Sequence, residues 1–230
     1  MIYSRERLHD YLGWDIDTWK HALTYWDKVL AHESLSNKRA LELGARDGGL
    51  SLYLADKGMD VVCSDLEGPS QLAHTSFERI GLGGQVGFEQ IDATCIPYED
   101  NSFSVVIFKS MLGGVGMGYG YEGIQLAMQE MHRVLKPQGL LLFAENQAGS
   151  FFHQQARRLF VAWGKTWIYP SLDQFESLLS PFGESDIHTY GFFSCLKKDF
   201  KPFIAADRLI CRTPKSKNHY MAFGYGRKGI

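Results

Sequence analysis

The sequence predicts an α/β protein: a parallel sheet with helices on both faces and a helical cap at the N-terminus. Three observations carry this. From residue 39 to residue 145, short apolar runs alternate with helical patterns, which is the signature of βαβ units. One of those runs, 104–108, is almost wholly apolar, as a central strand covered on both faces should be. The stretch LELGARDGGLSLYL, 41–54, reads as a buried strand, a tight glycine turn and the opening of a helix. That order leaves backbone N–H groups facing a crevice at the carboxyl edge of the sheet.

Taken in order, residues 1–37 are helical and aromatic, with Trp19, Leu23, Trp26 and Leu30 at helical spacing. Such a segment lays one face on the core and can also serve as a lid. It forms a cap on a body of residues 38–230, the two making one domain. A first strand, 39–43, leads through Gly44, Gly48 and Gly49 into a helix over about 49–57, which Gly58 ends as a C-cap glycine does. A second strand covers 60–64, a helix about 70–80, and a third strand about 86–91. After the fourth strand, Gly113, Gly114, Gly116 and Gly118 predict a loose loop that can close over a bound molecule. A helix over about 122–135 precedes Pro137 and Gly139, and the fifth strand is 140–145.

Beyond residue 146 the pattern weakens. An amphipathic helix covers 151–163 with Arg157 and Arg158, and a second covers 171–179 with Ser171 as N-cap. The last two strands fall at 187–193 and 220–225. Between them, 196–217 is rich in Lys and Arg and shows no clear period. With Asp199 and Asp207 interspersed, it reads as a solvated face.

Composition bounds the function. The chain has 230 residues, enough for one full core, and a net charge of −2, so nothing demands nucleic acid or an anionic membrane as partner. Cys63, Cys95, Cys195 and Cys211 form no CxxC pair and read as buried free thiols in a reducing compartment. The eight histidines show no metal-ligand spacing, so no metal site is expected. The charged N-terminus lacks a secretory signal, and no apolar run approaches ~20 residues. These bounds predict a soluble cytoplasmic protein with a small molecule, and no membrane, as its partner.

Chemistry is concentrated at strand ends. Glu42 is an acid inside the first strand, just ahead of a G-x-x-x-G turn. A dinucleotide site needs G-x-G-x-x-G, and a carboxylate there would repel a pyrophosphate while suiting a cation. Asp65 ends the second strand, where an acid can accept both hydroxyls of a ribose. Asp92 and Ala93 follow the third strand, where a carboxylate and a backbone N–H can meet a base. Arg133-Val134-Leu135-Lys136-Pro137-Gln138-Gly139 leads a helix into the fifth strand.

Together with Asn101-Ser102-Phe103, these motifs run in the order and spacing of a known family. The chain resembles a class I S-adenosylmethionine (SAM)-dependent methyltransferase, of the small-molecule, methyltransferase type 11-like kind. The resemblance implies SAM as cofactor and a Rossmann-like seven-stranded, mostly parallel sheet with an antiparallel last strand. It implies that Glu42, Gly44, Ala45, Arg46 and Gly48 line the methionine part of SAM. Asp65 and Leu66 would lie at the ribose, Asp92 and Ala93 at the adenine, and Lys109 at the end of the fourth strand beside the cofactor. The sequence departs from the pattern in three places. Arg46 stands where a third turn glycine is usual, Ser104 replaces a common Asp, and Gln138 replaces a common glycine.

The loop after the fourth strand lacks the acid or histidine that some members use as a base. The candidates for one are His9, Tyr11, Tyr119 and His153, each with a structural role open to it. The motifs of amino-methylating DNA enzymes and protein-arginine enzymes are missing after the fourth strand, where the chain reads Lys109-Ser110-Met111-Leu112. The expected acceptor is therefore an O or N of a small molecule, with a glycan precursor or secondary metabolite among the options, in a pocket formed by the aromatic N-terminal helix, the 113–120 loop and the 151–169 segment. The alternatives are an RNA methyltransferase and a SAM-binding protein without transferase activity.

Overall fold

The computed structural model describes residues 3–162, 165–197 and 200–230. Helices α1 (Arg5–Leu12) and α2 (Ile16–Leu30) open the chain. The alternating body follows: β1 (Arg39–Leu43), α3 (Gly49–Ala55), β2 (Asp60–Asp65), α4 (Gln71–Arg79), β3 (Val86–Gln90), β4 (Phe103–Lys109), α5 (Leu112–Val134) and β5 (Leu135–Asn146). The last third holds α6 (Phe151–Phe160), α7 (Leu172–Leu179), β6 (Glu184–Tyr190), α8 (Lys201–Ile210) and β7 (Met221–Arg227).

The strands form one sheet in the order β3-β2-β1-β4-β5-β7-β6. The first five pair in parallel, and β7 runs antiparallel between β5 and β6. The strand order reverses between β1 and β4, where Leu43 sits beside Phe108. The chain therefore leaves these two strands in opposite directions, and a crevice opens beyond their carboxyl ends.

The aromatic cap is part of the core. Trp19, Leu23 and Trp26 are fully buried against the sheet, and burying each such side chain contributes about 1.5–3 kcal/mol. Trp26 Nε1 donates to the Gly224 carbonyl at 2.9 Å, which ties the cap to the last strand. At the other end a Cβ on Gly49 would lie 2.3 Å from the Tyr11 carbonyl oxygen, so only glycine lets α1 meet α3 there. The opposite face of the sheet is covered by α5 and α7, through Ile124, Met131 and Phe175.

Several expectations need correction. Residues 113–120 are not a loop: α5 begins at Leu112 and is broken at Gly120, where φ is 70°. The glycines serve close packing, since a Cβ on Gly113 would meet the Trp167 ring at 2.5 Å and one on Gly116 would meet Ile168 at 2.7 Å. The segment 196–217 contains α8, and Asp207 is fully buried, not solvated. Its carboxylate accepts the N–H groups of Phe192, Phe193 and Ser194 and the Ser194 hydroxyl. Asp199 lies outside the described residues, as does Trp163, near the expected end of α6. Of the four free thiols, Cys63 alone is buried, while Cys195 and Cys211 are partly exposed and Cys95 is exposed.

Candidate functional site

The site grows from the turn between β1 and α3. Gly44, Arg46 and Gly48 have φ of 66°, 49° and 75°, and this left-handed backbone folds the chain tightly back on itself. A Cβ on Gly44 would come within 2.6 Å of Met111 Cγ, so the turn and the start of α5 touch across the crevice. Arg46 holds a glycine-like conformation with a side chain attached. Its N–H donates to Asp65 Oδ2 at 2.8 Å, and its guanidinium, 82 % exposed, lies at the rim near Asp47.

Glu42 is buried beneath this turn. Its Oε2 accepts the Ser51 N–H at 2.6 Å and the Ser51 hydroxyl at 2.5 Å, so it caps the first turn of α3. Burial pushes its carboxyl up to about 7, against the Ser51 and Leu50 hydrogen bonds and the Lys109 charge, which pull it down. Glu145 repeats the device one helix along. It accepts the N–H groups of Met111 and Leu112, both at 2.7 Å, and burial pushes it likewise to about 7. The two acids pin the helices on either side of the strand-order reversal. Sequence reading named Glu42 and missed Glu145, whose signal was an acid closing the apolar run LLLFAEN.

Lys109 ends β4 with its ammonium 4.0 Å from the centre of the Trp14 ring and 4.8 Å from that of Trp19. It therefore joins the cap to the site as a cation resting on aromatic faces. Asp65 and Leu66 share a cavity wall with Asp92 and Ala93. Asp92 is more occupied than the sequence implied. One carboxylate oxygen accepts from the Thr94 N–H and hydroxyl, and the other accepts the Tyr119 hydroxyl at 2.8 Å. Burial pushes Asp92 up, but those bonds outweigh it and hold the carboxyl below its ordinary range. A base amino group approaching Asp92 would share its second oxygen with the Tyr119 hydroxyl, an exposed side chain beside the Gly120 break.

The four base candidates, His9, Tyr11, Tyr119 and His153, all line the cavity, but three of them are already hydrogen-bonded to other groups. The Tyr11 hydroxyl donates to Asp56 and accepts from Arg7, and burial pushes it up to about 12. His153 belongs to the capping box of α6. Its Nδ1 accepts from the Ser150 N–H at 3.1 Å, its Nε2 donates to the Phe192 carbonyl at 2.7 Å, and burial lowers its pKa. Tyr119 is spent on Asp92, and His9 stands exposed at the rim. Tyr11 and His153 thus each carry a structural role as well as a place in the cavity wall.

These walls enclose a cavity of about 1640 Å³. Pockets for one small ligand measure roughly 300–1,000 Å³, so two ligands fit end to end. The far end is lined by Arg157, Phe160, Trp167 and Tyr169, all within the 151–169 segment expected to form the acceptor pocket, and by Tyr220, which sequence reading did not select. Arg157 donates to the carbonyls of Gln147 and Ala148 at 2.7 and 3.0 Å and stacks 4.1 Å from the Tyr169 ring centre. Among the described residues, no cluster of three His, Cys, Asp or Glu is placed to hold a metal.

A doubly wound sheet, a left-handed glycine turn after β1 and acids ending or following β2 and β3 define a class I methyltransferase fold. Residues 41–143 match the family model described as a methyltransferase domain. The chain is similar to the 2-phytyl-1,4-naphtoquinone methyltransferase of Nostoc punctiforme, at 25 % identity over 74 % of each chain. It is similar to the ubiquinone/menaquinone biosynthesis C-methyltransferase UbiE of Legionella pneumophila, at 31 % identity over 46 % of this chain and 41 % of that one. The chain spans about half the length, or less, of most curated relatives it matches. In fold it is similar to phosphoethanolamine N-methyltransferase 2 of Haemonchus contortus, solved with SAM. The TM-score is 0.66 and the identity 16 %, over 92 % of this chain and 53 % of that one.

The residues present fit the family's cofactor, SAM. The glycine turn, Gly44 and Gly48, lines the cavity beside two acids, Glu42 and Asp65, whose carboxyls suit a cationic ligand.

Proposed function

We propose that this protein transfers a methyl group from SAM to an oxygen, nitrogen or ring carbon of a small, flat acceptor. The observation that carries this is the cavity. It continues past the turn into a chamber walled by aromatic rings and the buried Arg157 guanidinium. That chamber suits a planar acceptor with negative character, as a quinol or phenol has. Quinone enzymes among the similar proteins support the same class.

When bound, SAM supplies a methyl already activated by its sulfonium. Asp65 would hold the ribose hydroxyls, Leu66 and Ala93 would flank the base, and the Gly44–Ala45 backbone with Glu42 would receive the methionine end. The chain's contribution is orientation and exclusion of water, an effect worth roughly 7–11 kcal/mol when geometry is good. With Tyr11, Tyr119 and His153 engaged elsewhere, an acceptor that ionises readily needs no protein base.

The test is a screen with methyl-labelled SAM against hydroxylated aromatics, quinols, amines and RNA, scored by S-adenosylhomocysteine formed. Label in a ring acceptor supports the reading. Label only in RNA replaces it with an RNA methyltransferase. Cofactor binding with no transfer to any acceptor leaves a SAM-binding protein.

A further inference from the structure

Helix α6 is built inside out. Its buried residues are polar: His153 is 3 % exposed and Arg157 is 7 % exposed. Its exposed residues include Phe151, Phe152, Leu159 and Phe160, each at least two-thirds exposed. A helix on a water-facing surface arranges these the other way. The helix cannot roll to correct this. His153 is held by Ser150 and Phe192, and Arg157 by the carbonyls of Gln147 and Ala148. The apolar face is therefore fixed outward.

The face carries charge of one sign. Arg158 on α6, Lys165 after it, Lys197 in the neighbouring loop and Lys201 opening α8 are all exposed, and none forms a salt bridge among the described residues. Lys215 and Lys217, further on, are paired with Glu176 and Asp173 of α7. No acid occurs in α6, and the acid of α8, Asp207, is buried and consumed by backbone N–H groups. In a chain of net charge −2 this is a segregated basic, aromatic surface. It also borders the cavity mouth: Phe160 and Leu196 line the cavity, together with the exposed Leu72 and Met117.

We propose that this face docks on the surface of an anionic phospholipid bilayer, with the cavity mouth turned toward the membrane. Large apolar side chains outward, flanked by cations that form no salt bridge among the described residues, are what an interfacial helix presents: the rings enter the headgroup boundary and the cations meet lipid phosphates. Among the described residues no helix is long and apolar enough to cross a membrane, so the contact is peripheral. Docking would let an apolar acceptor pass from the bilayer into the chamber without crossing water. The docking itself does not depend on transferase activity and is read without it.

The experiment is co-sedimentation of the full chain with vesicles of phosphatidylcholine alone and of an equimolar phosphatidylcholine–phosphatidylglycerol mixture. The variants are Phe151→Ser with Phe152→Ser, Leu159→Ser, and Arg158→Glu with Lys197→Glu. S-adenosylhomocysteine binding by calorimetry checks that each is folded. The wild type should bind the anionic vesicles and not the neutral ones, and the Phe and charge variants should lose at least about tenfold in partitioning. Absence of wild-type binding overturns the proposal, as does binding that folded variants retain in full. A wild-type dimer that the Phe variant dissociates, with no vesicle binding, assigns the face to a second copy instead.

Discussion

The two walls of the cavity are made in different ways. The cofactor wall is mostly backbone: a turn of consecutive residues, 44–49, with strand-end acids placed by the sheet register. The acceptor wall is mostly side chains, delivered by Arg157 of α6, Tyr169 of the following connection and Tyr220 just before β7. Nothing local aims those side chains. They depend on Asp207, 13 or more residues away, gathering the Phe192–Ser194 backbone, and on the Phe192 carbonyl then holding His153. A wall written in adjacent residues is local in its energetics. A wall assembled from distant segments is cooperative, and one removed contact should disturb all of it.

The largest expected effect breaks the second wall. Asp207→Ala strips an acceptor from three N–H groups and a hydroxyl, each such bond to a charged group being worth about 1.5–3 kcal/mol. The urea midpoint should fall by the equivalent of at least ~3 kcal/mol, whereas Asp65→Ala should leave it nearly unchanged. Equal effects from the two would erase the contrast between the walls.

Next in size is a loss confined to the first wall. Asp65→Ala should weaken S-adenosylhomocysteine binding at least ~10-fold in calorimetry, since one bond to a charged acceptor exceeds ~1.4 kcal/mol. Glu67→Ala, an exposed position outside the cavity, should change little. If Glu67 proves the damaging site, the ribose contact lies two residues further along.

A smaller effect is pH-dependent. Burial raises the Glu42 carboxyl to about 7 in the folded protein, above its value in the unfolded chain. Folding thus favours the protonated acid. That contribution is complete below about 4.3, the ordinary Glu value, and is lost as pH rises through about 7. Glu42→Gln should flatten the fall in urea stability across that window. Glu145, raised likewise, keeps part of the slope. A variant slope identical to wild type would show that Glu42 is ionised throughout.

The smallest effect is a gain. Arg46 sits at φ 49°, where a side chain costs roughly 1–2 kcal/mol and glycine's extra chain entropy returns roughly 0.5–1 kcal/mol of that. Arg46→Gly should therefore raise stability by about 0.5 kcal/mol in urea unfolding. A loss would show that the Arg46 side chain holds the turn by contacts of its own.

Read alone, the sequence determines the alternation of strands and helices, the glycine turn and the acids at the strand ends, because each is set by residues a few positions apart. Helical spacing likewise placed Trp19, Leu23, Trp26 and Leu30 on one buried face. Only tertiary structure decided the rest. Gly113 and Gly116 looked like a loose loop because their purpose, room for Trp167 and Ile168, lies some fifty residues away. Asp207 looked solvated because the N–H groups it satisfies belong to a different segment. The segment 151–163 read as an amphipathic helix, yet hydrophobicity alone cannot say which way Phe151 and Phe152 face. That was decided by His153 and Arg157, whose partners are carbonyls the fold brings together. Short-range conformational preference is legible along a chain, whereas the pairing of a buried polar group with a distant partner exists only once the chain has folded.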